Sequence, residues 1–256
     1  MKFSTRFRRF GITASHDRPA YRDYQFQIGR YYLHHFVEPF TSGKKVFDIG
    51  CAEGGLLTAF EQAGYECTGL EYSAERVQYA RENSSSNIKF IAGNIETISI
   101  AEKYDSILML DVIEHLDDKL TALKNIRQLM ADQGIVIISF PPFRSPFGGH
   151  QQVMKSVLKY IPYIQLLPEF IYKWLLENVE RENVAAHLRN FKTGVTIRQF
   201  EQLIRLADLK ILEKKTFLVR PRQALKFNLK IRPYRLNFFQ EYFATGVDYV
   251  LKGLKI

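Results

Sequence analysis

Short apolar runs of five to seven residues recur along the first 140 positions of this chain. Between them lie segments whose apolar residues repeat every three or four positions. The runs Lys45–Ile49, Glu66–Leu70, Ile88–Ala92, Tyr104–Leu110 and Ile135–Phe140 predict buried strands. The helical spacing falls at Leu56–Ala63, Ala74–Glu82 and Lys119–Met130. Strands that alternate with helices at this spacing are joined by right-handed crossovers, which makes a parallel sheet covered on both faces. Ahead of it, Arg22–Phe40 carries apolar residues at Tyr24, Ile28, Tyr31, Tyr32 and Phe36 and predicts a helix that ends near Pro39.

The alternation stops at Pro141-Pro142, an ordinary strand terminator. The stretch to Phe191 is rich in aromatic residues (Phe143, Phe147, Tyr160, Tyr163, Phe170, Tyr172, Trp174) and predicts helices and loops laid over the sheet. Thr196-Ile197-Arg198-Gln199 is a capping box that starts a helix to Ala207. Strand-like Leu209–Val219 and a β-rich run, Tyr242–Leu251, come last. No crossover helix separates them, so they should pair antiparallel at one edge. The expected architecture is α/β: a doubly wound, seven-stranded, mostly parallel sheet with an antiparallel last strand and a helical lid insertion. Within a single domain, residues 1–43 form an N-terminal helical cap, 44–142 a cofactor-binding core, 143–195 the substrate lid, and 196–256 the C-terminal helix and antiparallel strands.

Composition narrows this only a little. With 256 residues, 46% of them hydrophobic, the chain can bury a core of its own. Cys51 and Cys67 are too few for a disulfide framework and point to a reducing, cytoplasmic setting. No apolar run reaches the roughly 18 residues of a membrane span. The closest, Leu158–Leu176, is broken by Lys159, Pro162, Pro168, Glu169 and Lys173. The basic start, Met1–Phe10, lacks the apolar segment of a secretory signal, and nearby Asp17 and Asp23 weigh against a transit peptide. Charge is segregated: Lys44–Pro142 holds nine Lys/Arg against fifteen Asp/Glu, whereas the flanks hold 27 against 12. Residues 210–256 alone carry eleven basic and three acidic side chains. Basic appendages on an acidic core suit solubility or peripheral contact with an anionic membrane surface.

Ligands of such a sheet bind at the carboxyl ends of the strands. After the first strand, Asp48-Ile49-Gly50-Cys51-Ala52-Glu53-Gly54-Gly55 forms a glycine turn. It lets the backbone approach a ligand and presents a helix start with unpaired N–H groups. After the second, Glu71 offers a carboxylate to ribose hydroxyls. After the third, the amide of Gly93-Asn94-Ile95 can pair with an adenine edge. After the fourth, which ends at Leu110, comes Asp111-Val112-Ile113-Glu114-His115-Leu116.

This ordered set resembles the class I S-adenosylmethionine-dependent methyltransferases, Rossmann-like enzymes whose broad group includes the ubiquinone-biosynthesis O-methyltransferases. The resemblance covers roughly Lys44 to Phe140. It implies S-adenosylmethionine as cofactor, with Asp48, Gly50, Ala52 and Gly54 at its methionyl part, Glu71 on the ribose, and Tyr72, Asn94, Ile95 and Leu110 about the adenosine. Ala52 stands where a glycine is usual, and Asn94 where Asp is usual. His115 is implied near the methyl donor, and His150, after the pair Gly148-Gly149, suits a general base; these two are the expected catalytic residues. No metal site is expected. In some relatives an acidic-x-x-Glu-His cluster holds a divalent cation, which here would be Asp111, Glu114 and His115. His187 and Arg189 brace the lid or meet an acidic acceptor, and His34 and His35 read as helix surface. The acceptor expected is a small molecule, sugar or lipid-linked compound. Nucleic acid is disfavoured, because Phe140-Pro141-Pro142-Phe143 follows the fifth strand rather than the fourth. Gly50-x-Ala52-x-x-Gly55 with Glu71 also nearly fits an NAD(P)-dependent oxidoreductase. A non-catalytic binding protein on the same fold is the other alternative.

Overall fold

The computed structural model describes residues 17–227, 229–234 and 239–254. The expectations for Met1–Phe10 lie outside the described residues. After α1 (Arg18–Tyr32) and a π-helical turn at Leu33–Val37, the chain alternates through β1 (Lys45–Ile49), α2 (Gly55–Gln62), β2 (Glu66–Glu71), α3 (Ala74–Glu82), β3 (Lys89–Ala92), β4 (Tyr104–Leu110), α4 (Lys119–Leu129) and β5 (Met130–Phe140). The insertion contains short 3-10 turns, α5 (Glu169–Leu175) and α6 (Val184–Thr193). It is followed by α7 (Ile197–Leu206), β6 (Leu209–Phe217), α8 (Pro221–Lys226), β7 (Pro233–Tyr234), α9 (Gln240–Phe243) and β8 (Gly246–Gly253). No helix among the described residues is long and apolar enough to cross a membrane.

One sheet runs in the order β3-β2-β1-β4-β5-β8-β6-β7. The first five strands pair in parallel, and β8 lies antiparallel between β5 and β6. The two-residue β7 adds an eighth strand to the seven expected, pairing with Thr216 and Phe217 at the edge. Alternate residues of the central strands feed two separate cores. Phe47, Ile49, Ile107, Met109 and Ile138 pack with Leu123, Ile126, Phe200 and Ile204 of α4 and α7. Val46, Leu108, Ile135 and Ile137 pack with Ile28, Tyr32, Leu57 and Phe60 of α1 and α2. Burial on both faces is why these strands read as continuous apolar runs. The insertion has a small core of its own around Met154, Leu158, Ile164, Tyr172 and Leu176.

Local chemistry sets the helix starts. Ser73 caps α3 by accepting from Arg76 N, Asp118 caps α4 by accepting from Thr121 N, and the predicted capping box opens α7. The helix α1 lies against α2 at Gly29, where a Cβ would come within 2.6 Å of Leu56 O. Several boundaries differ from expectation: α1 begins at Arg18 rather than Arg22 and gives way to the π-helical turn after Tyr32, and β5 begins at Met130 rather than Ile135. The expected run Tyr242–Leu251 begins with the end of α9, and strand pairing starts only at Gly246. The strand Leu209–Val219 stops at Phe217, because Arg220 and Pro221 turn the chain into α8.

Candidate active site

The β1 turn is held from two sides. From β2, Leu70 O accepts from Gly50 N and Cys51 N. From α1, buried Gln25 donates to Cys51 O and accepts from Gly55 N. Gly50 (φ 76°), Ala52 (φ 48°) and Gly54 (φ 75°) all adopt left-handed backbone. At Gly50 a Cβ would lie 2.4 Å from Val112 Cγ2. Gly50→Ala is therefore expected to lower stability by about 1–2 kcal/mol from backbone handedness alone, with the clash added. An unchanged denaturation midpoint would show that the turn is not needed in this form.

The turn borders a cavity of about 620 Å³ at the carboxyl ends of the parallel strands. Asp48, Gly50, Ala52, Glu71, Tyr72, Asn94, Ile95, Leu110, His115 and His150 all line it. Gly54 does not: it is the N-cap of α2, and a Cβ there would meet Phe90 and Ser84. Its contribution is backbone shape, not contact with the cavity. Glu71 accepts from Ala52 N at 3.0 Å and Ser73 N at 2.9 Å, which fixes its carboxylate at the cavity wall. Asn94 accepts from Glu96 N and donates to the Glu96 carboxylate. Tyr72, 80% exposed, stands at the rim. Asp48 is buried, and desolvation, reinforced by the charge of Glu71, pushes its carboxyl up to about 8.

At the other end, Gly148 and Gly149 let the insertion turn tightly, and His150 follows with φ 58°. Its Nε2 lies 3.7 Å from Glu114 Oε1, and its ring centroid is 4.9 Å from that of His115. His115 Nδ1 is 3.3 Å from Asn190 Oδ1 of α6. Burial pushes the Glu114 carboxyl up to about 8 and the His150 imidazole down to about 4, and it lowers His115 as well. Both Glu114 carboxylate oxygens and His150 Nε2 are buried without a hydrogen-bond partner. One ligand atom each from Glu114, His115 and His150 lies within 4.8 Å of the others, a donor set that a divalent cation accepts.

Asp111 does not belong to that cluster. At φ 59° it turns away and pairs with both Arg220 and Arg222 of the connector after β6. The acidic-x-x-Glu-His grouping therefore loses its first member, and His150 takes the third place. His187 is buried within the insertion, whereas Arg189 lines the mouth of the cavity and pairs with Asp117 at 2.8 Å. Lining residues not singled out in the sequence include Tyr21, Gln25, Arg76 and Arg222. A polar Gln25 near the apolar stripe of α1 was a readable signal; nothing local marked Arg222.

The model of a methyltransferase domain family matches residues 21–213. The chain belongs to the methyltransferase domain family. Curated relatives of this domain include the ubiquinone biosynthesis O-methyltransferase of Actinobacillus pleuropneumoniae, 33% identical over 106 residues, or 38% of this chain and 45% of that one. The enzyme of the same name from Rhodopseudomonas palustris is 26% identical over 163 residues, 60% of each chain. The match to these relatives spans roughly half of their length. Solved structures that share this fold include two methyltransferases. One, the plantazolicin methyltransferase BamL solved with a desmethyl analog and SAH, has a TM-score of 0.60 at 13% identity, covering 93% of this chain and 88% of that one. A SAM-dependent methyltransferase from Thermotoga maritima has a TM-score of 0.56 at 15% identity, covering 94% and 96%.

Proposed function

We propose that this protein transfers the methyl group of S-adenosylmethionine to an oxygen of a small-molecule acceptor. The observation that carries this reading is the single cavity that joins the β1 turn, Glu71 and Asn94 at one end to His115 and His150 at the other. A nucleoside occupies the end with the fixed carboxylate. The acceptor occupies the end with the histidines, next to the donor's sulfonium. The relatives named as O-methyltransferases support oxygen as the atom that is methylated.

Methyl transfer is an in-line displacement, so the walls must align the acceptor and keep water out. An acceptor hydroxyl also gives up its proton. His150, which lines the cavity and whose Nε2 has no hydrogen-bond partner, accepts it, and the Glu114 carboxyl 3.7 Å away ionises more readily once that imidazolium forms. His115 packs on His150 and holds its plane. The insertion supplies His150 and Arg189 and so acts as the lid of the acceptor end. It also exposes the aromatic side chains of Tyr160, Phe170 and Trp174.

A second reading of the proton step has its own observation in the orphaned oxygens of Glu114. There Glu114, His115 and His150 would hold a divalent cation, which when bound would lower the pKa of an acceptor hydroxyl.

Calorimetry on the whole chain tests the reading at its base. S-adenosylhomocysteine is expected to bind with one-to-one stoichiometry, and NAD not to bind measurably. Tight NAD binding with no response to S-adenosylhomocysteine would transfer the cavity to the oxidoreductase alternative.

A further inference from the structure

Three cationic side chains line the cavity among the described residues: Arg76, Arg189 and Arg222. Arg76 lies on α3, beyond Glu71, and faces buried Glu53 at 3.4 Å. Arg189 sits at the mouth, with 63% of its side chain exposed and Asp117 as its partner. Arg222 differs from both. Only 17% of its side chain is accessible, and its guanidinium contacts Asp111 and the Tyr21 hydroxyl. It is also close enough to Asp48 to oppose the rise in that carboxyl's pKa. Arg222 therefore stands at the end of the cavity bordered by β1 and α1.

The proposed donor carries an amino-acid group at that end, with an α-carboxylate and an α-ammonium. A carboxylate brought into so enclosed a place needs a cation or several donors. Arg222 is the cation available there, and Asp48 is an acceptor for the ammonium. The planar fork of a guanidinium suits a carboxylate better than a lysine would. The side chain is already oriented, because Asp111 and Tyr21 hold two of its nitrogens.

We propose that Arg222 binds the α-carboxylate of the donor's methionyl group, with Asp111 and Tyr21 as its positioning residues. This makes the connector between β6 and β8 part of the donor site. It also makes the site selective for nucleosides that carry an intact amino acid over those that have lost the carboxylate. The inference rests on S-adenosylmethionine being the donor.

The test uses the full chain and two ligands, S-adenosylhomocysteine and its decarboxylated analogue 5′-(3-aminopropylthio)adenosine, with affinities read by calorimetry. The unaltered protein is expected to favour S-adenosylhomocysteine by about 10- to 100-fold, the range of a charge-assisted hydrogen bond. Arg222→Met should remove that preference and leave the affinity for the analogue unchanged, which also reports that the cavity is intact. Arg222→Lys keeps the charge and should retain part of the preference; it serves as the readout if the Met variant does not fold. Equal loss for both ligands, or an undiminished preference in either variant, overturns the proposal. If the unaltered protein binds neither ligand, the donor assignment itself fails. If it binds both equally well, only the role of Arg222 fails.

Discussion

Asp111→Asn is expected to cost about 3–5 kcal/mol of stability, the range seen when one partner of a buried ion pair is removed. The change keeps the size of the side chain and its tolerance of left-handed backbone, which Asp111 adopts at φ 59°. What it removes is a carboxylate that faces both Arg220 and Arg222, whose side chains are 12% and 17% accessible. Burial and the neighbouring Arg222 already push Arg220 down to about 10, a sign of how closely the two cations are confined. Asp248 also attracts Arg220, with its Oδ2 accepting from the Tyr32 hydroxyl. Chemical denaturation should show the loss as a lower midpoint with an unchanged slope. If Arg220 and Arg222 are also replaced by Met, much of the stability should return, because an apolar filling can substitute for a buried ion cluster. A single Asp111→Asn variant within about 1 kcal/mol of the parent would remove this network from the account of the fold.

The parts of this fold that were legible in the sequence are those governed by neighbours along the chain. The strands β1 and β4 and the helix α3 have their predicted boundaries, because apolar runs, turn residues and a Ser73 cap act within a few positions. The segment Gln240–Phe243 was less legible. Its apolar Tyr242 and Phe243 fit a strand, but the pairing partner Phe217 meets Gly246 rather than these residues. The donor end of the cavity was readable for the same local reason, since each strand of a parallel sheet delivers its next residue to the same edge. The pairing of Asp111 with Arg222 spans 111 positions and follows from how the β6 connector folds back over α1. No local spacing carries that information. His150 was visible only as a histidine after two glycines. Its closeness to Glu114, 36 positions away in the chain, depends on the turn that those glycines allow.

His150→Gln is expected to lower turnover by about 100- to 10,000-fold, the usual contribution of a positioned proton acceptor. Glutamine keeps a polar head of similar reach but cannot take up a proton, so S-adenosylhomocysteine affinity should stay within a few-fold of the parent. A fall in turnover without a change in donor affinity assigns His150 to the chemical step. Loss of both would instead make it a structural support of the cavity. Chelation separates the two readings of the proton step. If His150 acts alone, treatment with a strong chelator should leave the parent's turnover unchanged. If Glu114, His115 and His150 hold a cation, turnover should fall on chelation and return with added divalent metal. In that case Glu114→Gln and His115→Gln should both weaken the metal's affinity, measured directly by calorimetry. Unchanged turnover in His150→Gln would leave alignment and exclusion of water as the whole of the catalysis. The acceptor would then be one that reaches the cavity already ionised, or a softer nucleophile than a hydroxyl.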